Sequence, residues 1–177
     1  MIMNMAQTRS TALEAMIGRI LIDHNFTIAC AESCTGGLLT SRFTDVPGSS
    51  DYIKGSVVSY TEEVKINILK VKAETIAQFE VVSSEVALEM AEGVRNLMNT
   101  DIGVGITGVA GPMGSTEKAP VGCVHIAVSG PNGSTSEVHH LIGNRREIKW
   151  QATEAALMLI RKYLIENKLE GEEDNEY

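Results

Sequence analysis

The chain is poor in cysteine, in basic residues and in long apolar runs, and each shortage excludes something. Its three cysteines, Cys30, Cys34 and Cys123, cannot all pair, and none sits in a CxxC or zinc-ligand spacing. Neither a disulfide scaffold nor a metal site is expected, and a reducing cytoplasm is the compartment that fits. No apolar stretch approaches the roughly 20 residues that span a bilayer. Met1–Ser10 has no apolar segment of the kind a secretion signal carries. Lys and Arg number 15 against 23 Asp and Glu, for a net charge of −8, and they form no basic stripe. That balance argues against a nucleic-acid partner, and the missing span argues against a membrane one. A small anionic ligand stays open, provided some pocket is locally basic.

What is present suits one soluble domain. The 177 residues, 44% of them hydrophobic, can bury a core without covalent staples. Charge is uneven, because 166–177 holds six acids and one lysine. The domain is therefore expected over residues 1–166, with 167–177 as an acidic, solvated tail.

Periodicity orders the elements. Helical spacing runs over 8–24, through Leu13, Met16, Ile17, Ile20 and Leu21. A short apolar strand follows at 27–31, then a helix over 35–46 that Pro47-Gly48 ends. A strand at 52–60, a short helix at 61–69, a helix at 83–99 and a strand at 102–107 come next. The stretch 108–120 is dense in Gly and Pro and long for a loop, which tilts it toward function. Strands at 121–129 and 134–141 flank Pro131-Asn132-Gly133, a hairpin signal, and a helix covers 145–166. Strands mixed with helices and one late hairpin predict a single α/β domain. Its three layers are α/β/α, with a mixed sheet covered by helices on both faces.

Ser33 stands where the first apolar strand stops, in Ala31-Glu32-Ser33-Cys34-Thr35-Gly36-Gly37. That order reads as strand, tight turn, helix N-terminus. A serine there lies near amides that lack intrahelical partners, and the two glycines let a substrate approach the main chain. Two readings stand on these residues alone: a nucleophile, or only the helix N-cap. Cys34 is a rival nucleophile. Gly103, Gly105 and Gly108 match GxGxxG by letter, but the Gly and Pro that follow forbid the helix a dinucleotide fold needs. Thr107 at that strand end, with Gly108 and Gly111, reads instead as a backbone-rich ligand loop or a plain turn.

A serine nucleophile needs a base. None of the four histidines has the grammar of a catalytic loop. Lys65 lies early in the helix after Tyr60; drawn into a partly apolar pocket, such a lysine becomes a base near neutral pH, and otherwise it is a solvated helix lysine. Arg145 opens the last helix, placed either to clamp a phosphate or to face solvent.

Taken together, Ala31–Gly37, Val57-Val58-Ser59-Tyr60 with Lys65, Gly105–Pro112, Pro120-Val121-Gly122 and Gly143-Asn144-Arg145 resemble the CinA C-terminal domain family, the nicotinamide-nucleotide amidases, over roughly residues 13–163. The resemblance implies hydrolysis of nicotinamide mononucleotide to nicotinate mononucleotide and ammonia, without cofactor or metal. It makes Ser33 the nucleophile, Lys65 its base and Tyr60 an assistant. It places Thr35, Gly36, Gly37, Thr107, Gly108, Gly111 and Arg145 at the substrate, and it implies a homo-oligomer, dimer or trimer. Departures are Phe79-Glu80-Val81-Val82 in place of His-Gly-Ala-Val, Met113 for a glycine, Asn144 for an aspartate and Lys149 for an arginine. They leave open a catalytically silent, ligand-binding or regulatory member tied to competence and DNA damage.

Overall fold

The computed structural model describes residues 12–167. The acidic tail expected beyond, from 168 on, and the helical turn expected over 8–11 lie outside the described residues. In chain order the elements are α1 (Leu13–Asp23), β1 (Ile28–Glu32), α2 (Leu38–Thr44), β2 (Ile53–Val58), α3 (Glu62–Asn67), α4 (Ala73–Phe79), α5 (Ser84–Met98), β3 (Ile102–Gly108), β4 (Cys123–Gly130), β5 (Gly133–His140) and α6 (Arg145–Glu166). The five strands form one sheet in the order β2-β1-β3-β4-β5. β1 pairs parallel with β2 and β3, and the β3–β4 and β4–β5 ladders are antiparallel. The sheet is mixed, as the single late hairpin predicted. No helix of the described residues is long and apolar enough to cross a membrane.

Alternation along β1 sends Ile28 and Cys30 to one face and Ala29 and Ala31 to the other. The first face is covered by α1, α2 and α6 through Ile17, Leu21, Leu39, Phe43, Ala156 and Ile160. The second carries α5 through Val86, Met90 and Val94, with Leu69 and Val71 beside it. Gly103 and Gly105 explain the false dinucleotide signature. A Cβ at either would collide with the α5 backbone, at the carbonyls of Ala91 and Ala87 respectively. These glycines let a helix lie directly on β3, which is packing rather than phosphate binding.

Two elements differ from expectation. The second helix starts at Leu38 rather than 35, because Gly36 and Gly37 take φ of 63° and 92°, outside the right-handed helix. Ala73–Phe79 forms a helix where no helix was expected; it has no buried residue of its own, so it lacks a strong apolar stripe.

The chain leaves β1 for β2 on one side, then crosses back to β3 on the other. The connections leaving β1 and β3 therefore run to opposite sides, and in open α/β sheets the crevice at such a point is where ligands bind.

Candidate active site

The three parallel strands end together, and their backbones are laced one step beyond the sheet. Ser33 N–H donates to Ile106 O at 3.0 Å, and Ser59 N–H donates to Glu32 O at 2.9 Å. Ser33 and Ser59 are thereby held by main chain at the carboxyl end of the sheet, beside Thr107, which the β3–β4 ladder holds. α3 starts three residues later, where the Thr61 hydroxyl accepts Val64 N–H at 3.4 Å. Its Lys65 turns inward and is 1% exposed.

The Lys65 Nζ lies 3.1 Å from Ser33 Oγ and donates to Ser59 O at 2.6 Å. No carboxylate pairs with it among the described residues. Burial without a counter-ion disfavours the ammonium and brings the Lys65 pKa down to about 8, partly opposed by Cys34 and Glu62. The solvated-lysine alternative is thus excluded by the packing. The N-cap reading of Ser33 also fails, because Gly37 is the N-cap of α2. Cys34 lines the same cavity, but burial pushes its thiol up to about 12, so it stays protonated.

A cavity of about 370 Å³ opens over these atoms. Ser33, Lys65, Tyr60, Thr107, Gly108 and Arg145 line it, as expected from sequence. Thr107 is buried and donates its hydroxyl to Val81 O at 2.9 Å. Tyr60 stands at the rim, 59% exposed, and its phenol accepts from Arg145 Nη2 at 2.8 Å rather than facing the serine. Arg145 Nη1 donates to Gly111 O at 2.7 Å. Asn144 and Glu147 close a reciprocal cap at the start of α6, which sets the position of Arg145.

Thr35, Gly36, Gly37 and Gly111 do not line the cavity. Gly36 N–H is spent on Ser33 O at 3.1 Å. Gly37 N–H goes to the Glu32 carboxylate at 3.0 Å, which also accepts from Leu39 N and Thr40 N at 3.1 and 2.9 Å and from the Thr40 hydroxyl at 2.7 Å. The amides of Gly36 and Gly37, the two glycines that the resemblance puts at the substrate, are therefore occupied. Thr35 is fully buried, and its hydroxyl has no partner among the described residues.

Glu32 is the main residue that sequence reasoning missed. A lone acid closing an all-apolar strand, two residues before a turn and a helix start, was the available signal. Its carboxylate caps α2 from behind and freezes the turn that carries Ser33. Thr61, Glu62, Val81, Val82, Val109, Ala110 and Gly114 also line the cavity. Met113 also reaches the cavity lip, although its side chain is 84% exposed.

The sequence matches the CinA C-terminal domain over residues 10–164. It is 45% identical over 150 residues to a CinA-like protein of Fervidobacterium nodosum, covering 85% of this chain and 37% of that protein. A CinA-like protein of Sulfurihydrogenibium sp. is 46% identical over 157 residues, covering 88% of this chain and 39% of the relative. The chain thus spans well under half the length of these relatives. Among solved structures, a competence-damaged protein (CinA) superfamily protein from Klebsiella pneumoniae superposes with a TM-score of 0.84 at 30% identity, over 87% of this chain and 96% of that one. The superfamily protein from Escherichia coli gives a TM-score of 0.82 at 28% identity, over 93% and 96%. The chain belongs to the CinA C-terminal domain family.

Proposed function

We propose that this domain is an amidohydrolase that converts nicotinamide mononucleotide and water to nicotinate mononucleotide and ammonia. One observation carries the reading: a buried lysine with no carboxylate partner among the described residues, 3.1 Å from a serine at the floor of a cavity. In its neutral form Lys65 donates one N–H to Ser59 O, which leaves its lone pair for the Ser33 hydroxyl proton. With a pKa of about 8, a useful fraction is neutral at physiological pH.

Ser33 Oγ attacks the carboxamide carbon as its proton passes to Lys65 Nζ. The tetrahedral oxyanion forms beside the Cys34 main chain, which lines the cavity and whose N–H is given to no main-chain acceptor among the described residues; an oxyanion donor is worth several kcal/mol. Collapse breaks the C–N bond, and Lys65 returns the proton to the departing ammonia. Water then resolves the acyl-enzyme with Lys65 again as base, and the serine regains its proton. The pyridinium charge makes the carbonyl electrophilic, and Glu62 supplies a negative wall for it. The phosphate contributes remote binding energy. Arg145 is the cation at the rim; two of its donors are engaged, and a guanidinium has five.

Ammonia release from nicotinamide mononucleotide tests the reading. Ser33→Ala is expected to lose about 10³-fold or more in turnover. Undiminished turnover in that variant eliminates the mechanism. Tight binding by the wild type without product would instead indicate the silent, ligand-binding reading.

A further inference from the structure

Glu80 holds the most unusual backbone near the site. It follows α4 with φ 68° and ψ 162°, a region that glycine enters freely and residues with a Cβ almost never adopt. Its carbonyl accepts the hydroxyl of Ser83, the cap of α5, at 2.9 Å. Its side chain reaches across to the connection between β3 and β4. One carboxylate oxygen lies 3.1 Å from Lys118 Nζ, and the other accepts the Thr116 hydroxyl at 3.1 Å.

That connection is a wall of the cavity. It is pinched at its base, where Val109 N–H donates to Cys123 O at 2.9 Å and Gly122 N–H to Val109 O at 2.8 Å. Its far limb folds on itself, with Thr116 N–H on Ala119 O and Ala119 N–H on the Thr116 hydroxyl, both at 3.0 Å. Between base and tip, among the described residues, its polar ties to other elements come from two side chains. Arg145 holds the near limb at Gly111 O, and Glu80 holds the far limb at Thr116 and Lys118. Met113 and Gly114, which line the cavity, lie between the two ties.

An acid kept in a glycine-type conformation, with both oxygens committed to one loop, marks strain retained for a contact. We propose that Glu80 is a positioning residue for the site: its carboxylate latches the 109–122 loop so that Met113 and Gly114 keep their place in the cavity wall. The choice of nicotinamide mononucleotide as probe rests on the amidase reading; the latch itself does not.

Glu80→Gly separates strain from latch, because the two move different readouts in opposite directions. Relief of strain raises the Tm by about 2–4 °C. Loss of the latch speeds hydrogen exchange of amides 111–119 about tenfold. It also raises KM for nicotinamide mononucleotide about fivefold, with kcat within about twofold, since the latch touches neither Ser33 nor Lys65. The double variant Thr116→Val with Lys118→Ala leaves residue 80 strained. It should show the same exchange and KM changes with no gain in Tm. A residue with only a structural role would move the Tm and nothing else. Unchanged loop exchange in both variants overturns the latch, and faster exchange with unchanged KM overturns its part in the site. Should the wild type turn nothing over, the amidase reading fails, and the exchange and Tm comparison alone decides for or against the latch.

Discussion

Arg42 and Lys65 are both buried cations, 5% and 1% exposed, and their surroundings are opposite. Arg42 projects from α2 between two carboxylates, Glu14 at 3.1 Å and Glu154 at 2.6 Å. It also donates to the Thr153 hydroxyl at 2.9 Å and lies 4.3 Å over the Trp150 ring. It ties α1, α2 and α6 together and has every reason to keep its charge. Lys65 has a carbonyl and a hydroxyl but no carboxylate partner among the described residues. Its charge is poorly supported, and the neutral amine becomes accessible near pH 8. The lesson is physical. A buried cation with counter-ions is held as a charged structural tie, and one without them is free to lose its proton near neutral pH.

The contrast can be broken most sharply at Lys65. Lys65→Met removes the base and, with it, a buried charge that the fold pays to desolvate. Turnover of nicotinamide mononucleotide should fall about 10³-fold or more, while the Tm holds or rises. A large loss of Tm would show that Lys65 is a structural tie after all. Arg42→Met should do the reverse. It strands two partly buried carboxylates, for a loss of about 3 kcal/mol or roughly 6–12 °C in Tm. The kcat of the folded protein should stay within about threefold. Thermal unfolding beside single-turnover assays separates the two variants.

A subtler effect lies in the pH dependence of the wild type. The active form is the neutral amine, and burial lowers the pKa, so kcat/KM should rise with pH through an inflection at about 8. A profile flat from pH 6.5 to 9 would move the base elsewhere. Stability follows the same sign. An unfolded lysine keeps its proton to about pH 10.4, whereas the folded one releases it at about 8. In that window the unfolded state binds more protons, so stability rises with pH in the wild type and not in Lys65→Met.

Much of this was legible along the chain. The strand-turn-helix grammar around Ser33, the hairpin at Pro131–Gly133 and the mixed α/β layering each follow from periodicity or turn chemistry that acts over a few residues. Lys65 and Arg145 were nameable as candidates because each follows a recognisable boundary. The α4 helix was not, since only Ile76 packs on the core and no residue of it is fully buried. The role of Glu32 was not either: its partners are amides five to eight residues on, and one of them, Gly37, was expected at the substrate.

By itself, then, the sequence determined which residue types stand at the ends of which elements, because dihedral preference and apolar spacing are local. Only the tertiary structure decided protonation and partnership. Whether a lysine is solvated or a base, whether an amide faces a ligand or a buried glutamate, and whether Tyr60 meets Ser33 or Arg145 depend on what strands far apart in sequence bring within 3 Å or so. Desolvation and hydrogen bonding act through space, and no local pattern encodes them.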